Sequence, residues 1–260
     1  MTTRLDDRAV IALLGPDART LLQGLITNDI DRLSPGRALY AALLTPQGKI
    51  LFDFLISEGD GAVLLDCAAA SAEALAKRLA MYRLRAKVEI GIRPQLAVIW
   101  GEGLDDPRLP ALGKRNIVAR AETGAGPSDE YLENRLKLGV PEGADFGSDK
   151  IFALDAGLEE LHGVSFEKGC YVGQELTARM KHRGTARKRL LVIDSDSALP
   201  PAGTDITAGG RELGQIVSTY GRRGFALIRL DRLEEAEGTP CESGGVPLRL
   251  VRQSWLDARA

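Results

Sequence analysis

Cysteine is scarce in this sequence: the 260 residues include three, Cys67, Cys170 and Cys241. They are odd in number and far apart, which excludes a disulfide framework. None has a partner at the C-x-x-C spacing of a zinc or cluster site. Free thiols are the normal state of cysteine in a reducing cytoplasm. The cysteine content therefore predicts a cytoplasmic protein without disulfides.

The sequence also lacks a large excess of positive or negative charge, and it lacks an apolar segment long enough to cross a bilayer. The 34 Lys and Arg residues nearly balance the 36 Asp and Glu residues, so no overall basic field favours nucleic acid. The local basic run over 181–189 contains no aromatic side chain to stack on a base. We interpret it as a solvated linker, with a contact to an anionic partner as the alternative. No segment approaches the ~20 apolar residues that span a bilayer, and the N-terminal residues lack the pattern of a signal peptide. We expect neither nucleic acid nor a membrane as a partner.

Strand and helix patterns alternate in the first hundred residues. Two apolar runs flank the turn Thr45-Pro46-Gln47-Gly48, which predicts a β-hairpin because Pro presets one φ and Gly supplies a positive one. Apolar residues at helical spacing predict a helix over 71–84. After residue 188, short apolar runs separated by Gly and Pro predict strands. The expected fold class is α+β, with an α+β domain over 1–100, a middle α/β segment over 101–187 that starts with a loop at 101–110, and an all-β barrel over 188–260.

The segment 163–179 holds the densest cluster of unusual residue types, centred on Cys170. Gly169 and Gly173 allow tight backbone turns on both sides of the thiol, and helix-forming residues follow. A helix N-terminus and the nearby Lys168 would both favour the thiolate, the form that acts as nucleophile or metal ligand. The alternative is a small, inert residue buried in a tight turn. Residue chemistry alone leaves both readings open.

The eight residues 168–175 match, at every defined position, the motif K-G-C-[aromatic]-x-G-Q-E of the YgfZ family. The chain resembles that family and its mitochondrial iron–sulfur assembly relatives over nearly its whole length, from LLGPDARTLLQGLITND to GQIVSTYGRRGFALIRLD. The residues that carry the motif, with Cys170 and Lys168 as catalytic candidates, are Lys168, Gly169, Cys170, Tyr171, Gly173, Gln174, Glu175 and Arg179.

The resemblance implies the fold of the glycine-cleavage T-protein, in which three domains surround a central folate cavity. It also implies a tetrahydrofolate-binding factor that supports assembly or repair of iron–sulfur proteins, tRNA-modifying enzymes included, through a reactive cysteine. Folate and iron–sulfur client or assembly proteins are the expected partners. His162 and His182 are weak candidates to join Cys170 at a metal, so no metal ligand is assigned. We expect no permanent cluster, because a stable cluster normally has four thiolate ligands.

A folate-dependent aminomethyltransferase is the alternative function. T-proteins carry two adjacent aspartates after the hairpin turn, whereas this chain has Phe52-Asp53 at the apparent match. Phenylalanine can neither accept a proton nor stabilise a developing positive charge. The substitution therefore favours folate binding without classical turnover.

The T-protein-like arrangement also implies which residues contact the folate. Asp155 is the strongest candidate, because its carboxylate could accept hydrogen bonds from the amino-amide edge of a pterin. Helix caps are the alternative for Asn28 and Asp29, and a salt-bridged helix end is the alternative for the region of Tyr82. The complete set of folate candidates is Asn28, Asp29, Asp53, Tyr82 and Asp155.

Overall fold

The computed structural model describes residues 2–124, 129–184 and 187–256. Its strands form three separate sheets, one of which closes into a barrel. In chain order the strands are β1 (Thr3–Arg4), β2 (Arg8–Leu14), β3 (Leu39–Leu44), β4 (Ile50–Gly59), β5 (Ala62–Ala68), β6 (Glu89–Ile92), β7 (Leu96–Asp105), β8 (Lys114–Ala119), β9 (Lys188–Asp194), β10 (Asp205–Ala208), β11 (Arg211–Tyr220), β12 (Arg223–Arg229), β13 (Cys241–Ser243) and β14 (Val246–Val251).

The helices are short and lie between or against these sheets. They are α1 (Ala18–Gln23), α2 (Ala72–Arg83), α3 (Asp129–Leu138), α4 (Gly143–Phe146), α5 (Gln174–Arg183) and α6 (Leu230–Glu235). The predicted helix over 71–84 is confirmed as α2, whose Leu75 and Leu79 are fully buried.

The first sheet is antiparallel, with the strand order β3-β4-β5-β2-β6. The predicted hairpin is confirmed: β3 pairs with β4, and the amide of Gly48, at φ 79°, donates to the carbonyl of Thr45. Both faces of this sheet are buried. All six residues of β3 are buried, and alternate residues along a strand point to opposite sides of the sheet. Ile11 belongs to an apolar cluster shared with α1 and α2, whereas its neighbour Val10 belongs to a second, central cluster shared with the rest of the protein.

The second sheet has the order β1-β7-β8 and corrects one sequence prediction. The loop expected at 101–110 is wrong for its first half, because β7 continues to Asp105 and pairs with β8. A shift in register between Trp100 and Leu104 accommodates the two glycines, Gly101 and Gly103, at positive φ. Glycine in this stretch therefore marks a bulge rather than a loop. The expected boundary between residues 100 and 101 falls inside a strand.

The third sheet is the closed barrel expected at the C-terminus, in the order β10-β11-β12-β9-β14-β13. Leu191 and Ile193 of β9 belong to the apolar cluster of the barrel, while Leu190 and Val192 on the other face belong to the central cluster. The barrel therefore packs on the body through one side of β9. The prediction placed its limits at residues 188 and 260. Residues 257–260 at the end of this range lie outside the described residues. Residues 185 and 186, just before its start, do so as well.

Helix α4 fixes the barrel to the body through one buried carboxylate. Asp145 accepts hydrogen bonds from Arg135 of α3 at 2.6 Å and from Ser218 and Tyr220 of β11 at 2.5 and 2.9 Å. Its Oδ2 also accepts from the backbone N–H of Glu142, which closes the N-terminus of α4. One side chain thus joins two helices and a barrel strand.

A buried group of charges, called here the charge cluster, joins the two open sheets. Fully buried Arg108 donates to Asp106 and to Glu142, at 2.6 and 2.7 Å. Burial alone would raise the pKa of Glu142, but the surrounding guanidinium groups hold it well below its usual range. The members of the charge cluster are Arg8, Asp66, Asp106, Arg108, Arg115 and Glu142.

Candidate functional site around Cys170

The segment between residue 163 and α5, called here the Cys170 loop, has no regular secondary structure and is held on the body by hydrogen bonds. The hydroxyl of Thr27 donates to the carbonyl of Gly163 at 2.6 Å, and the amide of Ser165 donates to the carbonyl of Thr27 at 2.9 Å. These bonds attach the start of the loop to the segment that follows α1. Backbone bonding of this kind fixes a loop without a helix or strand.

Lys168 anchors the middle of the Cys170 loop. Its ammonium donates to the carbonyls of Gln23, Ile26 and Asn28, at 2.8, 2.7 and 2.8 Å. An ammonium has three donors, so all of them have backbone partners. Burial lowers the pKa of Lys168 to about 8, although Asp29 and Asp31 oppose the shift. The sequence assigned this charge to activation of the thiol, and in the structure its three donors hold the carbonyls at and after the end of α1.

Cys170 is exposed, although both of its flanks are anchored. Tyr171 is buried in the central cluster, with its ring 5.2 Å from the ammonium of Lys168, and Val172 packs against the cluster beneath the first sheet. The inert, buried alternative for Cys170 is therefore wrong. The loop presents the thiol to solvent between two fixed side chains.

Helix α5 begins at Gln174, so the thiol lies four positions before the first helical residue. Gly173 caps the helix with φ 85°, a conformation that glycine adopts without strain. Of the remaining motif residues, Gln174 is half-buried, while Glu175 and Arg179 are exposed. Glu175 lies in the first turn, where a negative charge is favourable.

Three of the five folate candidates are used by the fold itself. The amide of Asn28 donates to the carbonyls of Tyr40 and His162, and its oxygen accepts from the amide of Asp29. Asp29 caps a short 3-10 turn and accepts from Gln23, which lowers the pKa of the Asp29 carboxyl. Tyr82 packs against the cluster beneath the first sheet. Asp29 is thus a cap, although of the 3-10 turn rather than of α1, whereas Asn28 is no cap and lines a cavity of the structure.

The other two candidates, Asp53 and Asp155, keep hydrogen-bonding capacity. Asp53 is buried below Tyr40, whose hydroxyl donates to it at 3.2 Å, and burial raises its pKa to about 6. Asp155 is also buried, and within the described part of the chain its Oδ1 has no hydrogen-bond partner. Burial raises the pKa of Asp155 to about 6, against the opposing charges of Arg189 and Lys188. A buried acceptor without a partner fits a ligand that offers N–H donors, so the chemistry at Asp155 fits the amino-amide edge of a pterin.

A cavity of about 650 Å³ opens beside the Cys170 loop and is called here the loop cavity. Its volume lies within the range of about 300–1,000 Å³ typical of small-molecule sites. Sequence reasoning missed it, because its walls come from three distant segments. Among the lining residues are Asn28, Arg32, Arg37, Tyr40, His162 and Phe166.

His162 and His182 do not form a metal site with the thiol. Among residues 2–124, 129–184 and 187–256, no group of three or more His, Cys, Asp and Glu side chains is arranged to hold a metal ion. His162 lines the loop cavity at a positive φ of 58°, and His182 is exposed in the last turn of α5.

Known proteins resemble this chain along most of its length. The mouse mitochondrial iron–sulfur cluster assembly factor IBA57 is 33% identical, in a match that covers 89% of this chain and 78% of the mouse protein. The human protein of the same name is 34% identical, with the same coverage. This chain belongs to the IBA57 family of iron–sulfur cluster assembly factors. Residues 187–258 also match the model of the CAF17 C-terminal beta-barrel domain, in agreement with the observed barrel.

A solved structure confirms the expected fold. The glycine cleavage system aminomethyltransferase T from Bartonella henselae aligns with a TM-score of 0.75, over 98% of this chain and 85% of that protein. At 16% sequence identity the likeness shows the fold alone. The T-protein-like prediction is thus confirmed.

The cytoplasmic location predicted from the cysteine content is wrong. The IBA57 relatives from mouse, human and Neurospora crassa are mitochondrial proteins. A mitochondrial matrix can also keep thiols reduced, so free cysteines do not separate the two locations. Within the described residues, no helix is both long and apolar enough to cross a bilayer.

Replacing Gly173, at the junction of the Cys170 loop and α5, by alanine should destabilise the folded protein. A Cβ at this position would lie 2.5 Å from the carbonyl oxygen of Thr45, in a backbone conformation that L-residues rarely adopt. We expect a loss of about 1–3 kcal/mol in the free energy of unfolding, measured by urea denaturation. Gly169→Ala is the matched control, because a Cβ there would have no atom within 4 Å. Equal losses from both substitutions would contradict the proposed contact.

Replacing Asp155 by asparagine should change how stability depends on pH. The folded state keeps the Asp155 proton up to about pH 6, whereas the unfolded chain loses it near pH ~4. The wild type therefore loses stability as the pH rises from 4 to 6, and the variant avoids that part of the loss. We expect the variant to gain about 1–3 kcal/mol relative to wild type between pH 4 and pH 7. Urea unfolding across this range is the measurement, and a pH-independent difference would contradict the burial of an ionisable Asp155.

Proposed function

We propose that this protein supports the assembly or repair of iron–sulfur proteins through the Cys170 thiol and that it binds tetrahydrofolate. The observation that carries the proposal is the exposed Cys170 between the buried anchors Lys168 and Tyr171. The thiolate is the form of cysteine that binds iron, and an exposed thiol on a fixed loop is accessible to a partner protein. Membership of the IBA57 family supports the same chemistry.

The cluster is the cargo in this proposal. Cys170 would ligate an iron of the cluster briefly, while the partner protein provides the other ligands, since four thiolates normally hold a stable cluster. The clients would be iron–sulfur enzymes, including those that thiolate tRNA. Measuring tRNA thiolation in cells that lack the protein tests whether these enzymes are clients. We expect thiolation to be lost in such cells and to be restored by the wild-type gene.

Tetrahydrofolate is the proposed ligand of Asp155, whose unpartnered oxygen would accept from the pterin edge. Bound folate would supply a reduced pterin ring, and the chain's own contribution is to bind and orient it. Asp53 is 4% exposed and lies below Tyr40. The Asp53 carboxylate already accepts from the Tyr40 hydroxyl, and Phe52 supplies no second carboxylate for the aminomethyltransferase alternative.

Calorimetry with tetrahydrofolate tests the ligand. Wild-type protein should release heat on binding, and Asp155→Ala should weaken the affinity by about 10- to 100-fold, as expected for a lost hydrogen bond to a charged group. Asp29→Asn is the matched control, because asparagine also caps a helical turn, and it should bind as tightly as wild type. Absence of binding by the wild type, or equal affinities for Asp155→Ala and Asp29→Asn, would contradict this part of the proposal.

A further inference from the structure

The C-terminal end of α2 exposes two large apolar side chains. Met81 is 63% exposed and Leu84, the residue after the last helical turn, is 86% exposed. They lie three positions apart at the end of the helix, Met81 in its last turn and Leu84 just after it. The segment 77–87 around them is called here the α2 tip.

The backbone holds Leu84 in this exposed position. Its φ is 45°, a left-handed value that is costly for a leucine. Leu79 and Leu75, five and nine residues earlier, are fully buried against the first sheet. The α2 tip is thus a fixed projection rather than a frayed helix end.

The α2 tip is also strongly basic. Eleven residues carry five cations and no acidic residue, in a chain whose net charge is −2. Within the described part of the chain, none of the five lies within 4.0 Å of a carboxylate oxygen. The salt-bridged helix end expected from the sequence is therefore wrong. Asp17 accepts from the backbone amide of Lys87 rather than from its ammonium. The five cations are Lys77, Arg78, Arg83, Arg85 and Lys87.

We propose that the α2 tip is a docking surface for a lipid bilayer that carries anionic phospholipid headgroups. The proposal replaces the expectation, drawn from the sequence, that no membrane is a partner. Aliphatic side chains flanked by Lys and Arg are typical of segments that lie at a membrane surface. The aromatic ring of the segment, Tyr82, packs against the core and is not free to stack on a base. Anionic headgroups therefore account for the basic charge of the α2 tip, and the acyl chains account for its two exposed apolar side chains.

The proposal predicts how the protein sits on the bilayer. Met81 and Leu84 enter the boundary between headgroups and acyl chains, and the five cations stay among the phosphates. The remainder of the chain carries a net charge of −7, so anionic lipid repels it and orients the α2 tip toward the membrane. Binding of this kind is reversible and weakens as salt screens the charges.

Vesicle co-sedimentation tests the proposal with defined lipids. Wild-type protein should bind vesicles of phosphatidylcholine and phosphatidylglycerol at least ~10-fold more tightly than phosphatidylcholine alone. Met81→Ser with Leu84→Ser should lower the binding by ~10-fold or more, and Arg85→Gln with Lys87→Gln should lower it by a similar factor. These substitutions are exposed, so thermal unfolding should stay at the wild-type temperature.

Matched controls come from other surfaces. Val251, 44% exposed in the barrel, and Lys114, exposed on β8, should be replaceable by Ser and Gln without loss of vesicle binding. Equal binding to both vesicle types, no binding, or equal effects of tip and control variants would overturn the proposal. So would tip variants that lose affinity for an RNA oligonucleotide or a protein while vesicle binding is intact. The outcome is independent of Cys170 and of folate.

Discussion

Replacing Arg108 by methionine should lower the free energy of unfolding by about 3–5 kcal/mol, the cost of leaving buried charges without their partner. Arg108 is fully buried and donates to Asp106, Glu142 and the hydroxyl of Tyr131. Methionine fills similar space but supplies no donor. The two carboxylates would then remain buried with fewer compensating charges.

Urea denaturation measures this loss, with an exposed ion pair as the control. Arg211 pairs with Glu235 at the surface of the barrel, where both side chains are more than half exposed. Exposed pairs contribute about 0–1 kcal/mol, so Arg211→Met should have little effect. Similar losses for the two variants would show that the charge cluster does not hold the sheets together. The energy would then come from apolar packing alone.

A single thiol should react with iodoacetamide while the protein is folded, and that thiol should be Cys170. Cys67 is fully buried, and burial raises its pKa to about 12. Cys241 is half-buried in the barrel, and burial raises its pKa as well. Because alkylation requires an accessible thiolate, both should react far more slowly than Cys170.

Mass spectrometry of peptides from the alkylated protein identifies the modified cysteine. In the folded state the expected result is one adduct, at Cys170, and three adducts after denaturation in urea. The Cys170→Ala variant should give no rapid adduct and should unfold at the wild-type urea concentration, since its side chain is exposed. Rapid modification of Cys241, or slow modification of Cys170, would contradict the exposed position of the loop.

The local elements of the fold were predictable from the sequence, because they depend on short-range patterns. Pro46 and Gly48 define the hairpin, and the apolar spacing of Leu75 and Leu79 defines α2. The prediction of a loop directly after Trp100 was wrong because glycine occurs in bulges as well as in loops. Single-residue preferences do not separate the two.

The charge cluster and the loop cavity were not predictable in this way. Arg8, Arg108 and Glu142 lie about 34 to 134 positions apart, and only the packing of two sheets brings them together. The same holds for Lys168, which is two residues from Cys170 in sequence but donates to carbonyls near residues 23–28. Proximity in sequence did not show where its ammonium lies.

The motif points to a cysteine that is exposed in the structure, and the folate candidates assigned with it differ in their environments. Cys170 is exposed, whereas Asn28 bonds to backbone carbonyls, Asp29 caps a 3-10 turn and Tyr82 is half-buried against the core. Asp155 is the folate candidate whose environment keeps a buried acceptor without a partner. Burial and hydrogen-bond partners, which a sequence does not show, separated these candidates.

The activity of iron–sulfur enzymes in cells that lack this protein tests the central claim most directly. The cells are supplied with wild type, Cys170→Ala or Cys241→Ala at equal protein levels, and enzyme activity is normalised to enzyme amount. We predict full restoration by wild type and Cys241→Ala, and activity with Cys170→Ala no higher than in cells without the protein. Full restoration by Cys170→Ala would contradict a function that depends on its thiol.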